Sequence, residues 1–254
     1  MITIKRTTID TRNFERKIVV PEETILNDKE VIEAIKAITK IYPELGTALK
    51  YETNFQLLCA VILSAQTTDI AVNKVTPDLF KSFPTPKAMA SASLEDIKDH
   101  IRSIGLYNNK SKYLKNMSQM LLEKFAGEVP NNRKDLMLLP GVGRKTANVV
   151  LTNGFQTAAF AVDTHVKRVS KKLHFVPKDA AVPEVENIMT EKLPPEMWYP
   201  AHHSILLFGR HQCVARKHDH TKCLARIEKA LPNNEVAKKA FRKMTTELRE
   251  EETI

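Results

Sequence analysis

Leu139–Val166, LPGVGRKTANVVLTNGFQTAAFAVDTHV, holds residue types that together could do covalent chemistry. Lys145 follows Gly141-Val142-Gly143 with Arg144 between, and Asp163 lies farther along in AVDTHV. A lysine amine that is neutral part of the time attacks a carbonyl or sugar carbon and forms a Schiff base. A fixed carboxylate can stabilise the cation that develops or accept a proton from the amine.

The elements around these residues must supply both conditions. Two of the seven glycines stand two positions apart at 141 and 143, which suits a tight turn with positive φ or a close backbone approach. A helix is predicted from Arg144, with Ala147, Val149, Val150 and Leu151 as apolar positions and Asn153-Gly154 as its end. Lys145 then falls in the first turn, where the helix dipole and Arg144 both disfavour an ammonium. Unpaired N–H groups at that end suit a phosphate, although a plain turn between packed helices has the same local sequence. Asp163 precedes a helical run and fits an N-cap, which is compatible with either role.

The chain has 254 residues, enough for one large or two small domains, and a formal charge of +9 that favours an anionic partner. Cys59, Cys213 and Cys223 do not make a disulfide framework. No apolar run is long enough to span a membrane and the N-terminus lacks a signal-peptide core, so a cytoplasmic location without membrane association is expected.

Helical periodicity dominates. Val31, Ile32, Ile35, Ile38 and Ile41 share one face, and Pro43 with Gly46 closes that helix. Phe55–Ser64 is apolar nearly all round and is expected to be buried, with Cys59 as a core thiol. Further helices are predicted over 69–81, 93–103, 109–125, 133–138, 144–151, 163–173 and 183–192. Beyond Pro232, the positions Val236, Ala237, Ala240, Phe241, Met244 and Leu248 give an amphipathic helix. Met1–Ile4 and Lys17–Val20 could pair as short strands. The fold class expected is all-α.

LPGVGRKTANVVL with AVDTHV resembles the endonuclease III family of helix-hairpin-helix DNA glycosylases. LSAQTTD at 63–69, IGLYNNK at 104–110, GEVP at 127–130 and FGRHQCVARK at 208–217 extend the resemblance over roughly 29–229. It implies a six-helix barrel over 47–156, a second lobe from 29–46 plus 157–232, and a helix-hairpin-helix at the cleft between them. Residues 1–28 form an extension and 233–254 a C-terminal helix.

The implied activity is base-excision repair by a bifunctional glycosylase and abasic-site lyase acting on oxidised pyrimidines. Lys145 would attack the sugar and Asp163 would support the charge. Gln66 would fill the gap left by a rotated nucleotide and Leu106 would wedge the opposite strand. Gly141, Gly143, Arg144, Lys167 and Arg168 would contact phosphates. A monofunctional glycosylase for another lesion and a non-catalytic binding protein are the alternatives. The partner expected is double-stranded DNA carrying damaged bases or abasic sites, bound by a monomer.

The family pattern C-x6-C-x2-C-x5-C holds a four-iron four-sulfur cluster through four thiolates. Here its positions are Cys213, His220, Cys223 and Lys229. Two thiolates are replaced, so no iron–sulfur cluster is expected, no other cofactor is assigned, and Cys213, His220 and Cys223 are taken as a residual loop. A zinc site of Cys213, His218, His220 and Cys223 is the competing reading, set aside because its spacing matches no standard finger.

Overall fold

Residues 2–4, 23–43, 46–231 and 235–251 are described by the structure, a computed structural model. Apart from a ribbon of two short strands, the described residues build an all-α fold. Strand β1 (Ile2–Ile4) pairs antiparallel with β2 (Glu23–Ile25), Ile2 opposite Ile25. The expected partner, Lys17–Val20, lies outside the described residues, and the strand at 2–4 pairs with Glu23–Ile25 instead. The chain divides into two compact units, one of residues 46–161 and one of 1–45 with 162–254.

The 46–161 unit is built round α2 (Asn54–Leu63), every residue of which from Phe55 to Leu63 is buried. Thr53 caps it by accepting from the Gln56 N–H. The unit continues with α3 (Asp69–Ser82), α4 (Pro86–Ser91), α5 (Leu94–Ile101), α6 (Tyr107–Phe125), α7 (Arg133–Leu136) and α8 (Arg144–Phe155), of which α3, α6 and α8 pack on α2. Leu58, Leu79, Met89, Ile97, Leu114, Leu121 and Val150 close one core over α2. Cys59 sits in that core, where burial pushes its thiol pKa up. Helix α4 was not expected, because Pro86 reads as a break. It is instead the first residue of the helix, with the Thr85 hydroxyl accepting from the Ala88 N–H.

The other unit joins α1 (Asp28–Ile41), α9 (Thr164–Lys172), α10 (Val182–Lys192), α11 (Pro195–His211), α12 (His220–Ala230) and α13 (Glu235–Glu251). Asn27 and Glu30 form a capping box that starts α1. Lys192 fastens the same end by donating to the Leu26 carbonyl at 3.0 Å and to Asp28 at 3.2 Å. Phe175, Phe208 and Phe241 are fully buried in this unit. Helices α11 and α12 also went unpredicted, and α11 carries Pro195 at its start and Pro200 inside it. Along α13, Ala240, Phe241 and Met244 are buried and Arg242 pairs with Glu228 of α12 at 2.7 Å. The predicted core positions Val236, Ala237 and Leu248 have side chains outside the described set. No described helix is long and apolar enough to cross a membrane.

Candidate functional site

In the 46–161 unit, Leu136 to Gly143 turn the chain from α7 into α8 through Val142 N–H donating to the Leu139 carbonyl at 3.1 Å. Gly141 has φ +82°, and a Cβ there would meet Tyr113 of α6 at 2.9 Å. Both the backbone and the aromatic face beneath it therefore require glycine. Gly143 departs from expectation. Its φ of −94° is open to any residue, and nothing lies within 4 Å of where a Cβ would be. The fold leaves a clear space before the helix.

Gly143 is also the N-cap of α8, so no side chain accepts from the first-turn N–H groups. Most of the described helices, by contrast, begin with a Ser, Thr, Asp or Asn whose side chain does so. Lys145 is the second residue of α8 and is exposed. The arrangement offers backbone donors and a primary amine to an anionic group arriving from outside. The helix continues past the predicted stop at Asn153-Gly154 to Phe155, with Gln156 at φ +53° as its cap. Gly154 is inside because α8 approaches Asn54 and Leu57 of α2 there.

Gln66 and Leu106 follow α2 and α5 in the same unit. Both are exposed and both are left-handed, with φ +53° and +61°. A non-glycine residue costs about 1 kcal/mol or more in that conformation, and such strain gathers at functional sites. Sequence reasoning missed the residue that braces them. Lys110 of α6 is only 2 % exposed and donates to the Thr67 hydroxyl at 2.7 Å, beside Gln66. Burial holds its ammonium pKa below the usual range. One turn along α6, Tyr113 supports Gly141, so one helix positions both the Gln66 loop and the glycine turn. The signal was present in IGLYNNKSKY, where Lys110 stands three residues before Tyr113 on one helix.

In the other unit, Asp163 is the N-cap of α9 and accepts from the Val166 N–H at 2.8 Å. Lys167 is half-buried on that helix, and Lys172 is exposed at its end. Arg168 does not present its fork to solvent as expected. Its Nη2 donates to the Gly209 and Cys213 carbonyls, both at 2.8 Å, and lies 3.2 Å from His165 Nδ1. Arg168 holds α11 and the loop after it, and Gly209 lets α11 approach His165 and Val169 within 3.0 Å of a would-be Cβ. Arg144 has an interaction of its own in the fold and is half-buried.

That loop corrects the expectation of no cofactor. One ligand atom each from Cys213, His218, His220 and Cys223 lie within 4.8 Å of one another. Cys213 Sγ stands 3.7 Å from His220 Nδ1. The Cys213 thiol is held below its usual range, chiefly by the thiol of Cys223 donating to it, and Cys223 is pushed up. A residual loop would have no reason to gather four soft and borderline donors at one point. Sequence distance does not reveal this convergence, because the donors come from a loop and the first turn of α12.

Residues 59–195 match the family described as HhH-GPD superfamily base excision DNA repair protein. Endonuclease III of Bacillus subtilis is 42% identical over 199 residues, covering 78% of this chain and 91% of its own length. Endonuclease III of Escherichia coli K12 is 42% identical over 192 residues, 76% of this chain and 90% of that one. Among solved structures, a trapped endonuclease III–DNA covalent intermediate superimposes with a TM-score of 0.75 at 42% identity, over 82% of this chain and all (100%) of that one. A thermostable thymine-DNA glycosylase shares the fold at 22% identity, with a TM-score of 0.70 over 80% of this chain and 94% of its own.

Proposed function

This chain belongs to the endonuclease III family of HhH-GPD base excision DNA repair glycosylases, and on that premise we propose that it removes oxidised pyrimidines and then cleaves the abasic site. The observation that carries the reading is the exposed Lys145 amine beside the open N-terminal turn of α8. A relative of 42% identity has been trapped as a covalent intermediate with DNA, which supports a nucleophilic residue in this one.

In the proposed reaction, the Lys145 amine attacks C1′ of the deoxyribose and gives up a proton. The bond from C1′ to the base breaks with its electron pair going to the base, which takes a proton. The C1′–O4′ bond then breaks, O4′ takes the second amine proton, and the opened sugar is held as an imine on Lys145. The imine draws electrons from C2′, whose proton leaves, and the C3′–O bond breaks to release the 3′ phosphate side of the strand. Asp163 supports the positive charge on sugar and amine; its cap bond to Val166 fixes the carboxylate without using both oxygens. Gln66 enters the vacated stack and Leu106 wedges the opposite strand, and their exposed, left-handed positions support those roles. The amides around Gly141 and Gly143 and the ammonium of Lys167 bind phosphates. Arg168 is left out of that set because its fork is engaged within the fold.

Single-turnover cleavage of a duplex with one abasic site tests this reading. Wild type is expected to cut by β-elimination. Lys145→Gln is expected to lose at least about a thousandfold in rate while still binding the duplex, a loss typical of removing a covalent nucleophile. Unchanged cleavage by Lys145→Gln would rule the mechanism out.

A further inference from the structure

The loop between α11 and α12 brings its donors together with their supporting bonds already in place. Cys213 directly follows the Gln212 cap of α11, and its N–H donates to the Phe208 carbonyl at 2.9 Å. His220 and Cys223 are three apart in the first turn of α12, on one helix face. His218 comes from the link between, just before the Asp219 cap.

Each imidazole has one nitrogen tied to a backbone carbonyl and the other facing the group. His218 Nδ1 donates to the Arg216 carbonyl at 3.0 Å, and its Nε2 is buried with no hydrogen-bond partner. His220 Nε2 donates to the Lys172 carbonyl at 3.1 Å, which leaves the Nδ1 lone pair toward Cys213. A histidine that ligates a metal is oriented in this way, with its second N–H on a carbonyl. A buried ring nitrogen with nothing to bond to is otherwise a cost.

Geometry decides what kind of metal centre fits. Around one tetrahedral zinc, with usual Zn–S and Zn–N bonds, a sulfur and a nitrogen stand about 3.6 Å apart. The observed separation of Cys213 Sγ and His220 Nδ1 is 3.7 Å, and all four ligand atoms lie within 4.8 Å. A four-iron cluster places each ligand on a different corner, so its donors must stand farther apart than those of one ion. It also ordinarily takes four thiolates, whereas two donors here are imidazoles and position 229 is an exposed lysine. We propose that Cys213, His218, His220 and Cys223 hold a single structural zinc ion at the position where the family pattern places an iron–sulfur cluster. The ion ties the end of α11 to the start of α12. Through His220 on Lys172 and Arg168 on Cys213, it also ties both to α9, the helix that begins at Asp163.

The test is the metal content of the full chain purified from cells supplied with both iron and zinc. Zinc, iron and acid-labile sulfide are measured together. The expected result is about one zinc per chain, as for a closed four-ligand site, and no sulfide. His218→Ala and Cys223→Ser should each lose zinc to a chelator that wild type resists, while Cys59→Ser in the other unit should keep it. Wild type loaded with cobalt(II) gives a check that needs no variant: thiolate-to-cobalt charge transfer with the intense visible bands of a tetrahedral ion. Iron with stoichiometric sulfide, absence of bound metal, or zinc that ignores the His218 and Cys223 changes would overturn the proposal.

Discussion

A Cβ at position 141 has to contend with Tyr113 and with φ +82°, whereas one at position 143 meets nothing. Gly141→Ala is therefore expected to destabilise the protein by about 1–3 kcal/mol, the range for overpacking a tight contact. Gly143→Ala should stay within about 1 kcal/mol of wild type, since its backbone angles suit any residue. In the proposed function the clear space at Gly143 admits a phosphate, so this second variant should bind an abasic duplex several-fold more weakly. Urea unfolding and fluorescence anisotropy on the same two proteins separate the effects. Equal binding by Gly143→Ala and wild type would mean that the space serves no ligand. The sequence shows two glycines but not this difference, because the contact at Gly141 comes from a helix 28 positions earlier, at Tyr113.

Helix α11 carries a cost of its own. His203 is buried in it, edge-on to Tyr199 and His202, with Nε2 lacking a hydrogen-bond partner. Burial first, then the neighbouring charges of His202 and Arg210, lowers its pKa from the ordinary 6.5 to about 4. Below pH 6.5 the unfolded chain takes up a proton that the folded chain refuses until about pH 4. Stability from this group is thus fully present above 6.5 and lost as pH falls through that window, by about 2 kcal/mol between pH 7 and pH 5. His203→Leu should remove that part of the pH dependence in urea unfolding at the two pH values. An identical loss in both proteins would contradict the assignment. Amphipathic periodicity found α1, α6 and α9 because each buries one face against its unit. It misses α4 because Pro86 reads as a break where it starts a helix, and α12 because the cysteine pattern around it reads as a loop; α11, with Pro195 at its start and Pro200 inside it, is not among the predicted helices.

Across the whole chain, the helical class came from apolar periodicity and the glycine turn and capping aspartate from local motifs, whereas Gln66 and Leu106 entered only through the family resemblance. What stayed hidden was long-range. Lys110 reaching Thr67, Arg168 turned onto two carbonyls, and four metal donors converging from a loop and a helix are all products of tertiary packing. The net charge of +9 is consistent with an anionic partner, and with 42% identity to endonuclease III it directs that expectation to DNA. Borohydride trapping on a duplex carrying one thymine glycol tests the central claim, because the adduct needs both base removal and a lysine imine. Wild type is expected to give a covalent protein–DNA species and Lys145→Gln none. An adduct that survives Lys145→Gln, or its absence from a wild-type protein that removes the base, would contradict the assignment of Lys145 as the nucleophile.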